Sequence, residues 1–217
     1  MIQLRTTLKV LELKYGCYGK GIARMNSSER IKTKILEIQN LLTDPNSFSQ
    51  LEIENLAKMV ASCFASGKKI AFVGNGGSAA EAMHIAAEFT GKCVIEHKPL
   101  PAICLNESQS ALTAIANDYG VDFVFSRMVE AHLNSGDILI ALSTSGSSIN
   151  ILNAMTAAIE KGAIVYLWTG DSMKEVPGVI VWNVPSLSTP RIQEIHLMWG
   201  HILAEVVEEH LLDSISR

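Results

Sequence analysis

The run Ile138-Leu139-Ile140-Ala141-Leu142 has no polar side. Successive side chains of a strand point to opposite faces, so such a run must be covered from above and below. Lys69 to Val73, Pro101 to Leu105, Ala163 to Trp168 and Val179 to Val184 also read as short apolar strands, and Asp137 to Ser143 holds the run itself. Segments of helical spacing separate them: Ala79 to Thr90, Ser108 to Ala116, Val121 to His132 and Ile149 to Lys161, with Thr189 to His210 as a long closing helix. Strands buried on both faces and alternating with helices predict an α/β three-layer sandwich, a five-stranded parallel sheet with helices on both faces. Two helices precede the first strand. Ser27 or Ser28 is the expected cap of one that runs to Leu42, with Ile31, Ile35, Ile38, Leu41 and Leu42 at helical spacing. Asp44-Pro45-Asn46 stops it, and the second spans Ser49 to Ala65. This N-terminal helical pair covers residues 27–66, and the α/β core covers 69–212.

Composition removes several function classes. Of 217 residues 48% are apolar and 18% charged, enough to build a core and too apolar for disorder. The net charge of −4, without a basic stripe, argues against a general nucleic-acid partner. No apolar run approaches the ~20 residues needed to span a bilayer. The four cysteines, Cys17, Cys63, Cys93 and Cys104, form no CxxC pair and read as free thiols of a cytoplasmic protein. The first 24 residues carry Arg5, Lys9, Lys14, Lys20 and Arg24 against Glu12 alone. They lack the apolar stretch and cleavage site of a secretory signal, and Met25 is the expected natural start of a single domain over 25–217.

In parallel sheets of this kind ligands bind at the carboxyl ends of strands, and two unusual loops fall there. Gly74-Asn75-Gly76-Gly77-Ser78-Ala79 follows a strand and opens a helix, where glycines admit a ligand and free N–H groups attract an anion. A tight turn needs glycine too, and the loop is neither GxGxxG in register nor a Walker loop. Ser143-Thr144-Ser145-Gly146-Ser147-Ser148 holds five hydroxyls in six residues, whereas a helix cap needs one. Without a Walker lysine or a magnesium-binding Asp, this loop suits a monophosphate. His84 and Glu88 share one helix face at i,i+4; such a pair holds a divalent metal, shares a proton, or is structural. On the closing helix Gln193 and His201 are eight apart, about 80° around the wheel, and can serve one site. His196 lies elsewhere on that wheel and reads as structural or solvent-facing. Asn117-Asp118-Tyr119-Gly120 reads as a turn or a site wall.

Taken in order, Gly74 to Glu88, Ala114 to Asp118, Ile140 to Ser148 and Arg191 to His196 resemble the motifs of the SIS (sugar isomerase) phosphosugar-binding domains, and among them those of the phosphoheptose isomerases. The resemblance covers roughly residues 27 to 212. It implies conversion of sedoheptulose 7-phosphate into D-glycero-D-manno-heptose 7-phosphate by a homotetramer with sites built between subunits and with zinc as cofactor. In the matching positions His84, Glu88, Gln193 and His201 are the expected zinc ligands, and Ser143, Thr144, Ser145 and Ser148 the phosphate contacts. Asn75, Gly76, Gly77 and Ser78, with Asn117, Asp118, Glu88 and Gln193, are the expected sugar contacts, and Glu88 and His201 the acid/base pair. The chemistry agrees. Ketose–aldose interconversion through an enediol needs a base at carbon and an acid at oxygen, which a carboxylate, an imidazole and a Lewis acid supply. Pro190 departs from the small or acidic residue usual before Arg-Ile-Gln, though a first-turn proline is tolerated. Two rival readings remain: a related SIS branch regulates the bacterial replication initiator, and other SIS proteins isomerise or sense different phosphosugars. The initiator-binding branch lacks the second histidine of the closing helix, so His201 favours the enzyme.

Overall fold

Five strands pair in the order β2-β1-β3-β4-β5, every pair parallel. They are β1 (Ile70–Gly74), β2 (Ala102–Cys104), β3 (Ile138–Ser143), β4 (Ile164–Gly170) and β5 (Ile180–Val184). The computed structural model describes residues 26–47, 49–173 and 175–215. The basic segment, Cys17 and the start at Met25 lie outside the described residues. The seven α-helices among them are α1 (Ser27–Thr43), α2 (Gln50–Ala65), α3 (Gly77–Thr90), α4 (Gln109–Tyr119), α5 (Val124–His132), α6 (Ile149–Glu160) and α7 (Thr189–Ile215).

The described residues fall into two units, divided between Asn40 and Leu41. In the first, α1 is capped by Asn26 rather than by Ser27 or Ser28. The Asn26 side chain accepts from the Glu29 N–H and the Glu29 carboxylate from the Asn26 N–H, both at 3.0 Å, a capping box that settles the start one residue earlier. Its apolar residues Ile31, Ile35 and Leu36 are exposed.

In the second unit β1 and β3 are buried throughout, as expected of runs without a polar side. One sheet face, through Ala71, Val73, Leu139, Ala141, Val165 and Leu167, packs on α5 and α6, with α4 partly buried against them. The other packs Phe72 on Phe89 of α3 and Trp168 on Trp199 of α7, and turns the Tyr166 hydroxyl to Met59 of α2. The expected three layers are therefore present. The buried positions of α7, Ile192, Ile195, Trp199, Leu203 and Val207, recur every three to four residues and lay this helix along the sheet. Pro190 sits in its first turn, where no N–H is missed, and the Ile192 N–H reaches Ser188 O at 3.0 Å.

Candidate active site

Strand order turns back between β1 and β3: the chain goes from β1 outward to β2 and then crosses to β3 on the other side. At such a switch point neighbouring loops part and leave a crevice above the strand ends. Gly74 lies opposite Leu142 in register, so the glycine and serine loops leave the sheet side by side. Two amide contacts tie this corner. Asn75 and Asn150 exchange hydrogen bonds at 2.8 and 3.1 Å, joining one loop to the first turn of α6. Asn106, just past β2, accepts from the Gly74 N–H at 3.2 Å and donates to its carbonyl at 2.9 Å.

Each loop opens a helix in a way that leaves donors available. Gly76 takes φ +56° at the cap of α3, a conformation that favours glycine. A Cβ on Gly77 would displace the Gln193 amide, which lies directly against the loop. In the serine loop Gly146, at φ +65°, closes a turn through its N–H to Ser143 O at 3.0 Å. The Ser145 and Ser147 hydroxyls meet at 3.1 Å. Ser148 is the N-cap of α6, yet its hydroxyl makes no capping bond. Ordinary capping therefore does not explain the Ser148 hydroxyl, which stands beside the free N–H groups of a helix N-terminus, a setting that attracts anions.

Helices α3 and α7 bring the ionisable groups together. His84 Nε2 lies 2.8 Å from His201 Nε2 and 3.2 Å from a Glu88 carboxylate oxygen. The three side chains gather their ligand atoms within 4.8 Å of one another, as a metal site requires. The meeting depends on a close approach: a Cβ on Gly200 would collide with Ile85, so Gly200 and Ile85 touch and their neighbours His201 and His84 face each other. One turn before His84, Glu81 is buried, with neither carboxylate oxygen in a hydrogen bond. Burial pushes its carboxyl up to about 7, opposed only in part by the nearby Ser78 hydroxyl. Burial, and then the adjacent Glu88 charge, pushes the Cys93 thiol up to about 12, so it is a thiol rather than a thiolate.

Comparison with known proteins identifies the assembly. The SIS domain family model matches residues 35–170. The phosphoheptose isomerase of Rhodospirillum rubrum is 48% identical over 162 residues, 73% of this chain and 86% of that one. The chain belongs to the SIS-domain phosphoheptose isomerases. Membership makes it an enzyme of the isomerase class, and two solved structures share its fold. The phosphoheptose isomerase GmhA from Neisseria gonorrhoeae superposes with a TM-score of 0.77 at 35% identity, over 85% of this chain and all of that one. The Francisella tularensis phosphoheptose isomerase does so with a TM-score of 0.80 at 30% identity and the same coverage.

In this phosphoheptose-isomerase fold the expected residues divide into groups. His84, Glu88 and His201 converge. Asn75, Gly76, Gly77, Ser78, Ser143, Thr144, Ser145 and Ser148 line the two loops at the switch point. Gln193 reaches the same corner, but its amide stands 3.5 Å from the Ser78 hydroxyl, against the glycine loop. Asn117 and Asp118 lie not in a turn but in the last helical turn of α4, exposed and bonded to each other at 2.7 Å. The helix continues past them to Gly120, whose φ of +97° ends it. His196 is structural: fully buried against Trp168 and Trp199, it is pushed down to about 3 and stays neutral. Sequence reading passed over Glu81, Asn106, Asn150 and Gly200. Only Glu81 left a usable signal, since spacings of three and seven put it on the His84–Glu88 face.

Proposed function

We propose that the chain interconverts sedoheptulose 7-phosphate and D-glycero-D-manno-heptose 7-phosphate through an enediol, with Glu88 and His201 as the acid/base pair. The observation that carries this is the convergence of His84, Glu88 and His201 on helices that also bring in the glycine loop and Gln193. The phosphate is held by the Ser143, Thr144, Ser145 and Ser148 loop and the N-terminus of α6. The sugar lies along Asn75, Gly76, Gly77 and Ser78, and the exposed Asn117 and Asp118 complete its wall. The Glu88 carboxylate takes the proton from C1 of the ketose while protonated His201 gives one to the C2 oxygen, which leaves an enediol. His201 then recovers the proton of the C1 hydroxyl, and Glu88 returns its own to C2. The loops contribute orientation rather than chemistry.

Two imidazole nitrogens 2.8 Å apart and a carboxylate oxygen converging on one point are a fitting set for a divalent ion such as zinc. His84, Glu88 and His201 would hold it, with Gln193 turning from Ser78 as the fourth ligand. When bound, the metal supplies a Lewis acid for the sugar oxygens. Free thiols at Cys63, Cys93 and Cys104 support a reducing cytoplasm as the place of work. Among the described residues no helix is long and apolar enough to cross a membrane. The exposed apolar residues Ile31, Ile35, Leu36 and Leu42 of α1 support self-association as a homotetramer.

The test is turnover of sedoheptulose 7-phosphate followed by NMR of the products, after chelation and with zinc restored. An aldoheptose 7-phosphate is expected. Glu88→Gln should cut kcat by about 10²- to 10⁴-fold while phosphosugar binding persists. Near-wild-type turnover by that variant would remove Glu88 from the chemistry.

A further inference from the structure

Two strand-to-helix junctions stand side by side at the switch point, and one pair of side chains joins them. Asn75 lies in the glycine loop, two residues before α3, and its carbonyl accepts the Ser78 N–H of that helix's first turn at 3.0 Å. Asn150 is the second residue of α6 and only 9% exposed. Asn75 Nδ2 donates to Asn150 Oδ1 at 2.8 Å, and Asn150 Nδ2 donates to Asn75 Oδ1 at 3.1 Å. Each amide keeps a second N–H and a second lone pair. Asn150 is enclosed, whereas Asn75 is exposed and can meet a ligand as well. The fold does not need this contact to join the two strands. β1 and β3 already pair from Ile70 with Ile138 to Gly74 with Leu142. The Asn106 amide separately holds both backbone groups of Gly74 from the β2 side. What the asparagine pair adds lies beyond the strand ends. It ties the start of the helix that carries His84 and Glu88 to the start of the helix that follows the serine loop.

We propose that Asn150 is a positioning residue for the isomerisation site. It acts through Asn75 to hold the glycine loop at a set distance from the serine loop, so that a sugar whose phosphate sits at α6 presents its C1–C2 end to Glu88 and His201. The inference rests on the reading of that acid/base pair and of the serine loop as the phosphate seat. The physical need is the span between two separate seats. A substrate anchored by its phosphate reacts only if its other end meets the acid and base in line, and a misplacement of about 1 Å can cost about 10²-fold in rate. Asn150 is too enclosed to serve the sugar itself, so its effect has to pass through the Asn75 side chain. A tie that served stability alone would leave the sugar's place unchanged once Asn75 is gone or present.

The full chain, Asn150→Ala, Asn75→Ala and the double variant are compared in kcat and KM for sedoheptulose 7-phosphate and in calorimetric affinity for that sugar and for inorganic phosphate. Melting temperature and the visible spectrum of Co²⁺ titrated into the apoprotein are read alongside. Asn150→Ala should lower kcat by about 10- to 100-fold and weaken sedoheptulose 7-phosphate by about severalfold, while inorganic phosphate binds within about twofold of wild type. In the Asn75→Ala background the same substitution should change kcat by less than about twofold, because both act through one contact. The Co²⁺ spectrum should stay that of the wild type, since α3 and α7 alone build that cluster. Wild-type kcat in a folded Asn150→Ala protein would overturn the proposal. So would losses of equal size in both backgrounds, or a changed Co²⁺ spectrum, which would trace the effect to helix packing. If Asn150→Ala does not fold, Asn150→Ser, too short to reach Asn75 but still polar, is judged by the same outcomes. A wild-type protein with no turnover refutes the functional reading instead; the ratio of the two affinities then still decides whether Asn150 sets the sugar's place.

Discussion

A carboxylate that no donor meets is costly inside a protein, and Glu81 is such a group. Burial raises it from 4.5 to about 7. The folded state therefore binds this proton more tightly than the unfolded chain does. The stability it contributes is complete below the unfolded value of 4.5 and is lost as pH rises through about 7. Glu81→Gln keeps the shape and removes the charge. Urea midpoints of the ligand-free protein at about pH 5 and about pH 8 should show the wild type losing more stability across that interval than the variant. Equal losses in both would mean that Glu81 finds a partner in solution. The same carboxylate shares the face of α3 with His84 and Glu88, one and two turns further along.

At the scale of elements, the site is a meeting of α3 and α7, and a glycine decides how closely they meet. Gly200→Ala should add about 1 kcal/mol of helix propensity. Its Cβ would overlap Ile85, however, and overpacking of that kind costs about 1–3 kcal/mol. The expected result is a lower melting temperature, a weakened Co²⁺ site and lost turnover. Pairing it with Ile85→Ala should give a double variant better than the sum of the singles; simple additivity would show that the contact does not set the helix spacing. This is also where the sequence was least informative. The strands were legible because Ile138 to Leu142 and Ala163 to Trp168 tolerate no other reading than burial on both faces. His84 with Glu88 was legible because i,i+4 spacing puts the two within reach, whereas the eight-residue spacing of Gln193 and His201 gave a shared side of α7 and not the contact of Gln193 with Ser78. Gly200 was not, since a lone glycine within a helical pattern says nothing of which helix lies against it. Asn117 and Asp118 misled for a local reason. Their polarity resembles a turn, but Leu112 and Ile115 pack on the core and carry the helix on to Gly120. Asn26 outranked Ser27 and Ser28 as a cap because Glu29 completes a reciprocal pair only with the residue three before it.

Across the whole α/β unit, the proposed site and the anchor of the sheet occupy opposite ends. The carboxyl ends of β1 and β3 carry the glycine and serine loops. Their starts are held by Asp137, which has no exposed surface. Its carboxylate accepts the Lys69 N–H at 3.0 Å, the Lys69 ammonium at 2.7 Å and the Asn134 N–H at 2.8 Å. Burial alone would raise Asp137, but the Lys69 ammonium and the two backbone donors outweigh it and hold the carboxyl below its ordinary value. A depressed folded value means that this stability is present above the unfolded value of 3.8 and is lost as pH falls further. Asp137→Asn removes the charge and leaves two N–H donors facing an amide. Removing one partner of a buried ion pair costs about 3–5 kcal/mol, and the partial exposure of Lys69, 26%, puts the expected loss at about 3 kcal/mol, since the ammonium can turn to water. Because the substitution lies a strand's length from the loops, KM and kcat of the protein that remains folded should match the wild type. Urea unfolding and steady-state kinetics on one preparation decide it. A kinetic change without a stability change would mean that strand register, set at this end, reaches the switch point. A stability change alone would show that the sheet insulates its ligand end from its anchor.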